Sequence, residues 1–399
     1  MPDVMSLWTD ARLIVGGVAA LASLPGTVEL TLLTVGGLLP APARRAVPAG
    51  TAANLRLAVV IPAHNEQAGI VQCLRTLVGA GASLRDLIVV ADNCTDNTAD
   101  LARIFGATVL ERFNADLRGK GYALDFAFTT LMKESGYDAF VIVDADTDVP
   151  PEFLRELRAR FAAGANAVQC RYLVRNPEGS MRTRLMNLAL MAFNAFRPRG
   201  RERWGLSVGI LGNGFGLRRS VLDAVPYTAS SVVEDLEYHL RLVEAGYRVE
   251  FVESTSVFGE MPVQGAGVKT QRARWEGGRI RMVREHVPAL LGRVLSGRLR
   301  LLEPLLELLL LPLALHVVLA ALSLVSPSPV VLAYAAVALG MIALHLCGAV
   351  WRCGGTWRDL GALGAAPFYV LWKLAMIPAL LRTSRSSSAW VRTERGGEK

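Results

Sequence analysis

Long apolar runs stand towards both ends of the chain, and shorter apolar runs alternate with polar residues between them. Residues 13–39 are apolar apart from Glu29 and a few serines and threonines, and a membrane-spanning helix needs about 20 such residues. After residue 301 the chain turns apolar again, and 305–325 and 330–350 each have the length of a further span. The pattern predicts a membrane protein whose spanning helices flank a soluble middle part.

Basic residues predict how the chain lies in the membrane. Arg44 and Arg45 follow the first span, and cytoplasmic loops are enriched in Lys and Arg. If 361–381, with Lys373 in its middle, crossed the membrane, the basic tail would lie outside, so we predict an interfacial helix there. The formal net charge of +8 fits this arrangement better than a nucleic-acid partner, because no basic stretch carries interleaved aromatic residues.

The middle part of the chain alternates short apolar strands with amphipathic helices. The predicted strands are 57–61, 87–90, 108–110 and 139–143. Short connections between alternating strands and helices are typical of an α/β fold with a mostly parallel, doubly wound sheet. We therefore predict a transmembrane segment and linker at 1–54, a cytoplasmic α/β domain at 55–285, and interfacial and transmembrane helices with a basic cytoplasmic tail at 286–399. The five cysteines have no CxxC spacing, which argues against a disulfide framework or a zinc site.

Acidic residues stand just beyond the ends of the predicted strands. Glu66 follows the first strand, Asp92 the second, and Asp144 and Asp146 the fourth. The carboxyl ends of parallel strands form the edge at which open α/β sheets bind ligands. Each acidic residue alone is explained by helix capping, but all of them together favour a shared ligand site.

Two of these carboxylates have the spacing of a metal site. Asp144 and Asp146 are separated by one small residue, and such a pair suits a divalent cation that takes its other ligands from water and a substrate phosphate. The alternative is an acidic loop leading into the helix after Pro150. We assign Asp148, just before that proline, to helix entry rather than to chemistry.

Glycine-rich segments offer places for phosphate and substrate. Lys120 lies between two glycines at the start of a predicted helix, where a phosphate is bound favourably. Neither a Walker A loop nor a dinucleotide-binding fingerprint is present. We expect the glycines at 212–216 to let backbone approach a bound substrate.

Two later helices carry further polar groups. Glu234 and Asp235 fall in the first turn of a predicted helix, where they stabilise the helix dipole or, if they face the cleft, supply a general base. Gln271, Arg274 and Trp275 share one helix face, which suits a diphosphate and a sugar ring. The alternative for this second helix is a basic helix lying on lipid.

Taken together, these motifs resemble those of a known family. They occur in order as Pro62-Ala63-His64-Asn65-Glu66, Val89-Val90-Ala91-Asp92-Asn93-Cys94-Thr95-Asp96-Asn97-Thr98, Gly119-Lys120-Gly121, Asp144-Ala145-Asp146, Glu234-Asp235 and Gln271-Arg272-Ala273-Arg274-Trp275. The ordered set resembles the membrane-bound family 2 glycosyltransferases with a GT-A fold, akin to cellulose, hyaluronan and poly-N-acetylglucosamine synthases.

The resemblance implies a reaction and a set of roles. The reaction is inverting, Mg²⁺- or Mn²⁺-dependent transfer of a sugar from a nucleotide-diphospho-sugar to a polysaccharide or lipid-linked acceptor at the cytoplasmic membrane. Polysaccharide-export subunits would be partners. By position, the nucleotide pocket would be lined by Pro62, Glu66 and Asp92. Lys120 would meet the diphosphate, Asp144 the nucleotide sugar and metal, and Asp146 the metal. Asp235 would be the base. Diphosphate and acceptor would be held by Gln271, Arg274 and Trp275.

One departure and two other function classes qualify this interpretation. Many members carry two adjacent aspartates after the second strand, whereas this chain has Ala91-Asp92, which leaves the nucleobase preference open. A non-catalytic, membrane-anchored nucleotide-sugar-binding subunit of an assembly complex is the main alternative, and intact Asp144, Asp146 and Asp235 argue against it. A nicotinamide-dependent oxidoreductase is disfavoured by the missing fingerprint.

Overall fold

The computed structural model describes residues 4–42, 52, 54–133, 136–228, 233–261, 266–310 and 312–368, and for 266–276 it describes the backbone alone. The helices are α1 (Val4–Leu38), α2 (Ile70–Gly79), α3 (Thr98–Phe105), α4 (Lys120–Leu131), α5 (Phe153–Ala162), α6 (Met181–Met191), α7 (Arg197–Arg203), α8 (Arg219–Ala224), α9 (Glu234–Glu244), α10 (Ala266–Leu295), α11 (Leu302–Leu309), α12 (Leu313–Ser323), α13 (Pro329–Cys353) and α14 (Trp357–Gly361). The strands are β1 (Leu57–Ala63), β2 (Leu87–Asp92), β3 (Thr108–Arg112), β4 (Ala139–Ile142), β5 (Thr147–Asp148), β6 (Ala167–Val174), β7 (Phe215–Arg218) and β8 (Val249–Gly259).

The half of the sheet built from the first four strands is parallel, as predicted. β1 lies between β2 and β4, and β3 adds to the outer side of β2. The register places Pro62 beside Val90 and Val60 beside Ile142. The carboxyl ends of β1, β2 and β4 therefore lie along one edge.

The other half of the sheet is mixed. β7 runs antiparallel between β4 and β6, β8 runs parallel to β6, and the short β5 pairs antiparallel with β8. Four of the seven pairings are parallel, so the α/β class is confirmed while the doubly wound parallel pattern stops at β4. The apolar run of β4 predicts burial on both faces but carries no information on the direction of the strand beside it.

Helices cover both faces of the sheet. On one face Val59 packs in the same core as Leu77 of α2. On the other face Val60 packs in a core that includes Phe128 of α4 and Tyr238 of α9. Because Tyr238 is buried within this second core, the helix that carries Asp235 is fastened directly to the sheet.

The apolar ends of the chain form a separate layer of helices. α1, over Met5–Leu38, and α13 are long and apolar enough to cross a membrane, which matches the predicted spans at 13–39 and 330–350. The continuous helix predicted at 305–325 is instead divided into α11 and α12, which are bent by 82°. Pro312 has no N–H and disfavours helical backbone in the residue before it, so the helix ends at 309. Most of the predicted interfacial helix at 361–381 and the whole basic tail lie outside the described residues.

α1 and α7 touch at a point where only glycine fits. A Cβ on Gly200 of α7 would overlap the carbonyl oxygen of Leu33 and lie 3.0 Å from the Cα of Leu33. We expect Gly200→Ala to lower the free energy of unfolding by about 1–3 kcal/mol, because two backbones cannot relax as a flexible side chain can. Thermal unfolding in detergent measures this. Gly340→Ala is the matched control, since a Cβ there meets nothing within 4 Å. Equal unfolding midpoints for the two variants would contradict the prediction.

Candidate active site

The loops after β1 and β2 are joined by hydrogen bonds at the predicted edge. The backbone N–H of Glu66 donates to Oγ1 of Thr98 at 2.8 Å, and Nδ1 of His64 lies 2.7 Å from the carbonyl oxygen of Asp92. Asn65 and Asn93 have positive φ angles of 55° and 52°, a conformation that asparagine tolerates better than most residues. These bonds hold the two loops as one wall of the site.

Asp92 has a partner that the sequence did not single out. Its Oδ1 accepts from Nη1 of Arg112, at the end of β3, at 2.6 Å. Both side chains are largely buried, with 7% and 10% of their surface exposed, and the Arg112 guanidinium lies 5.8 Å from the ring centre of Tyr122. A carboxylate, a guanidinium and an aromatic ring therefore line the floor between β2 and α4. The only signal for Arg112 in the sequence is that it ends a strand.

Lys120 links the start of α4 to the end of β4. Its Nζ pairs with Oδ1 of Asp144 and donates to the carbonyl oxygen of Gly212 at 2.5 Å. Burial lowers the pKa of Lys120, but Asp144, Glu234 and Asp235 raise it more strongly, so that it stands above its usual value. The ammonium is therefore charged and lies among three carboxylates.

The loop that carries Asp144 and Asp146 is fixed from the other half of the sheet. The backbone N–H of Asp144 donates to Oδ1 of Asn213 at 3.1 Å, and Nδ2 of Asn213 donates to Oγ1 of Thr147 at 2.8 Å. A Cβ on Gly69 would lie 3.4 Å from the Cα of Asp146. Asp146 thus faces the loop after β1, on the same edge as Asp144.

Asp148, which the sequence analysis assigned to a structural role, is tied into the fold. Its Oδ2 lies 3.2 Å from Nη1 of Arg175, and its backbone pairs with Phe258 of β8. This ion pair is consistent with the assignment and separates Asp148 from the two carboxylates before it.

Asp235, in the first turn of α9, lies near Lys120 and Asp144. Its Oδ1 accepts from the backbone N–H of Leu236 at 2.8 Å, and its Oδ2 lies 3.1 Å from the position that a Cβ on Gly212 would take. Gly212 has a φ of 79°, so both its backbone angle and the approach of Asp235 favour glycine. Burial raises the pKa of Asp235, and Lys120 offsets part of that rise.

The glycine segment that the sequence analysis assigned to substrate approach has a scaffold of its own. Gln169, fully buried in β6, donates from Nε2 to the carbonyl oxygen of Asn213 at 2.8 Å and accepts at Oε1 from the N–H of Leu211 at 2.9 Å. Asn213 and Gln169 were both missed from the sequence. A buried glutamine in an apolar strand is the signal that could have indicated one of them.

The remaining predicted site residues divide into two groups. Pro62 lies near the carboxyl end of β1, beside the loop with Glu66. The backbone of Gln271, Arg274 and Trp275 belongs to α10, but their side chains lie outside the described residues. Their proposed contacts with diphosphate and acceptor stay predictions.

Asp144 and Asp146 fit a divalent cation by their chemistry. Carboxylate oxygens are the ligands that Mg²⁺ prefers, and its sites usually combine one or two carboxylates with water and substrate phosphate. The side chain of Asp144 is 31% exposed, so ligands from solution can reach it. Across the part of the chain that the structure describes, no group of three or more His, Cys, Asp or Glu is arranged to hold a metal.

The chain is similar in sequence to known glycosyltransferases. The family model for glycosyl transferase family group 2 matches residues 139–347, more than half of the 399 residues. The probable glycosyltransferase YdaM of Bacillus subtilis is 28% identical over 237 residues, which cover 56% of this chain and 55% of that protein. The low-salt glycan biosynthesis hexosyltransferase Agl6 of Haloferax volcanii is 42% identical over 77 residues, or 18% of this chain and 17% of that protein. The match thus spans about half of YdaM and less of Agl6.

A solved structure shares the fold over nearly the whole chain. The mannosyltransferase PcManGT from Pyrobaculum calidifontis, solved with GDP-Man and Mn²⁺, has a TM-score of 0.55 and 17% sequence identity. The alignment covers 94% of this chain and 97% of that one. At this identity the likeness concerns the fold, and it supports the GT-A class predicted from the sequence. The family match extends from β4 through Asp144, Asp146 and Asp235. The chain therefore belongs to the glycosyl transferase family group 2.

Proposed function

We propose that the protein is a membrane-bound glycosyltransferase that moves a hexose from a nucleotide-diphospho-sugar to an acceptor hydroxyl, with inversion at the anomeric carbon. The observation that carries the proposal is the meeting of Lys120, Asp144 and Asp235 around Gly212. An ammonium, a carboxylate beside it and a second, buried carboxylate are the groups that a diphosphate leaving group and an attacking hydroxyl require. The hexosyltransferase name of the Haloferax relative supports a hexose donor.

The donor would lie along the carboxyl edge of β1, β2 and β4. Asp92 and Arg112 provide hydrogen-bonding groups for the nucleoside, with Pro62 and Glu66 on the adjoining wall. Lys120 provides positive charge for the diphosphate at the N-terminus of α4, where the helix dipole adds to it. Gln271, Arg274 and Trp275 are assigned to diphosphate and acceptor on the resemblance alone.

Asp144 and Asp146 would hold Mg²⁺ or Mn²⁺. When bound, such a cation neutralises the charge that develops on a departing nucleoside diphosphate. The contribution of the chain itself is to fix Asp144 through Asn213 and Lys120, so that the carboxylate is oriented before the donor arrives.

Asp235 would be the general base. Burial raises its pKa, which makes its carboxylate a stronger base than an exposed aspartate while Lys120 keeps the ionised form accessible. The carboxylate would take the proton of the acceptor hydroxyl as the hydroxyl attacks the anomeric carbon opposite the leaving group. A single displacement of this kind inverts the configuration.

The long apolar helices support an integral membrane protein of the cytoplasmic membrane, with the catalytic domain on the cytoplasmic side. α1 and α13 have the required length and composition, and Arg44 and Arg45 follow α1. A polysaccharide or a lipid-linked acceptor would reach the site at this surface. Polysaccharide-export subunits are proposed partners, because the described residues contain only two or three helices that could span a membrane. The division at residues 54 and 285 remains a prediction.

The proposal is tested by turnover and binding in the same preparation. The purified full chain in lipid nanodiscs is incubated with labelled UDP- and GDP-hexoses, with lipid and glycan acceptors, and with or without Mn²⁺. We expect metal-dependent release of nucleoside diphosphate from one donor, with label transferred to one acceptor class. Donor binding without release would favour the non-catalytic subunit, and absence of both binding and release would overturn the proposal.

A further inference from the structure

A buried cluster of charged side chains joins the membrane helices to the catalytic domain. Its members are Glu29 of α1, Arg197 and Arg201 of α7, His239 of α9, Arg279 of α10, and Glu303 and Glu307 of α11. Arg201, 2% exposed, lies 3.3 Å from Glu29 and 3.1 Å from Glu307. Buried ion pairs are poor sources of net stability compared with apolar packing, so this cluster calls for another role.

His239 is the member of the cluster nearest to the chemistry in sequence. It lies four residues after Asp235, which is about one turn along α9. Its Nε2 lies 2.8 Å from Oγ of Ser207, and its Nδ1 lies 3.5 Å from Oε2 of Glu307. Burial lowers the pKa of His239, while Glu307 raises it. Nε2 and the Ser207 hydroxyl share a hydrogen bond, whereas Nδ1 faces Glu307 and makes no hydrogen bond within the described part of the chain.

Ser207 begins the segment that ends at the active site. Its Oγ also accepts from the N–H of Val249 at 3.0 Å, and its carbonyl oxygen accepts from Arg201 at 3.0 Å. Five residues later the carbonyl oxygen of Gly212 accepts from Lys120. Between them, a Cβ on Gly209 would lie 3.4 Å from Oε1 of Glu307. The segment is therefore anchored to the buried charged cluster at Ser207 and to Lys120 of the active site at Gly212.

Two stretches of backbone connect the contact between Ser207 and His239 to the active site, and together they form a closed ring. One stretch runs from Ser207 along the segment to Gly212, and the other runs from His239 back along α9 to Asp235. The stretches meet again where Oδ2 of Asp235 approaches Gly212. Gly209 and Gly212 both have positive φ angles, 88° and 79°, so the segment has few intrinsic restraints. The hydrogen bond between Ser207 and His239 cross-links this segment to α9, in addition to the hydrogen bonds of Gln169 with the segment and the packing of Tyr238 in the core beneath the sheet.

We propose that Ser207, His239 and Glu307 are positioning residues, through which helix α11 holds Asp235 against the segment that carries Gly212 and Asn213. The proposal rests on the proposed function, because it assigns a purpose to the placement of the acceptor base. None of the three residues touches the reacting atoms. Their effect is on the rate of transfer, since a base displaced by about 1 Å costs on the order of 10²-fold in rate.

The test compares Ser207→Ala with Ser207→Thr in the full chain. For the donor hexose that the wild type consumes, we expect Ser207→Ala to lower kcat by roughly tenfold or more, with the KM for the donor and the Kd for the nucleoside diphosphate within about twofold of wild type. Ser207→Thr keeps the hydroxyl and should restore most of kcat. Amide hydrogen exchange at 209–213 and 234–239 should be about tenfold faster in the alanine variant, as expected for a lost buried hydrogen bond.

Ser254→Ala is the matched control. Ser254 of β8 also loses a partly buried side-chain hydrogen bond in this variant, to Glu156 of α5 at 2.5 Å. We expect it to leave kcat and the exchange rates near wild type. Wild-type kcat in Ser207→Ala, or an equal fall in Ser254→Ala, would overturn the positioning role while leaving the proposed function intact. If the wild type consumes no nucleotide sugar, the proposed function fails, and the exchange measurement alone still decides whether Ser207 restrains the two segments.

Discussion

Asp235→Asn is expected to bind the sugar donor normally and to lose transfer by about 10²–10⁴-fold, the usual contribution of a general base. Asparagine has nearly the same shape but cannot accept the proton of the acceptor hydroxyl. Asp235 lies beside Gly212 and Lys120 rather than beside Asp92 and Arg112, the groups proposed to bind the nucleoside, so donor affinity should change little. Single-turnover kinetics with the labelled donor, together with donor binding by calorimetry, measure the two effects separately.

The pH dependence of the wild type gives a second measurement of the same role. Because burial raises the pKa of Asp235 above its usual value, activity should fall, as the pH is lowered, at a higher pH than it would for an exposed aspartate. The raised pKa of Asp235 also affects the stability of the folded protein. The folded state binds the proton more tightly than the unfolded state, so the ionised carboxylate destabilises the fold at neutral pH. Asp235→Asn should therefore unfold at the same temperature as the wild type or at a higher one.

Glu244→Gln is the control for the base. Glu244 ends the same helix and pairs with Arg293 in a largely exposed position, where a lost ion pair has little effect. We expect wild-type transfer from it. Turnover in Asp235→Asn within a fewfold of the Glu244→Gln rate would show that another group removes the proton.

Asp146→Asn is expected to weaken the response of activity to Mn²⁺ by about 100-fold or more, because removal even of an outer-shell partner of a metal site costs 10–100-fold. Asp146 stands on the same edge as Asp144, and its backbone faces the loop after β1 at Gly69. Activity is measured as a function of Mn²⁺ and Mg²⁺ concentration at saturating donor. Nucleoside diphosphate binding without metal should stay near wild type, since the groups proposed to bind the nucleoside, Asp92 and Arg112, lie on β2 and β3.

Asp148→Asn is the control that tests whether the loss of any carboxylate in this loop would weaken the response of activity to Mn²⁺. Asp148 is two residues away but pairs with Arg175, and Arg175 also pairs with Glu260. We expect an unchanged metal response with a modest loss of stability. If the two variants shift the metal titration equally, the metal role assigned to Asp146 is wrong.

Local features of the sequence determined much of this structure. The apolar run before Asp144 predicted a strand buried on both faces, whose end delivers carboxylates to the sheet edge. Residues 13–39 and 330–350 were recognisable as membrane-length helices from length and apolarity alone. Asp235 was placed at a helix start by the spacing of the leucines that follow it.

Contacts between distant segments were decided only by the tertiary structure. Arg112 meets Asp92 from 20 residues away, and Ser207 meets His239 from 32 residues away. The antiparallel position of β7 depends on its pairing with β4 and β6, which are distant in sequence. The bend between α11 and α12 was likewise seen only in the structure. A period of 2 or 3.6 residues reports which side of an element is buried, but not which partner it meets. The sequence therefore predicted the acidic edge and the helix start that carries Asp235, and the fold decided what holds them in place.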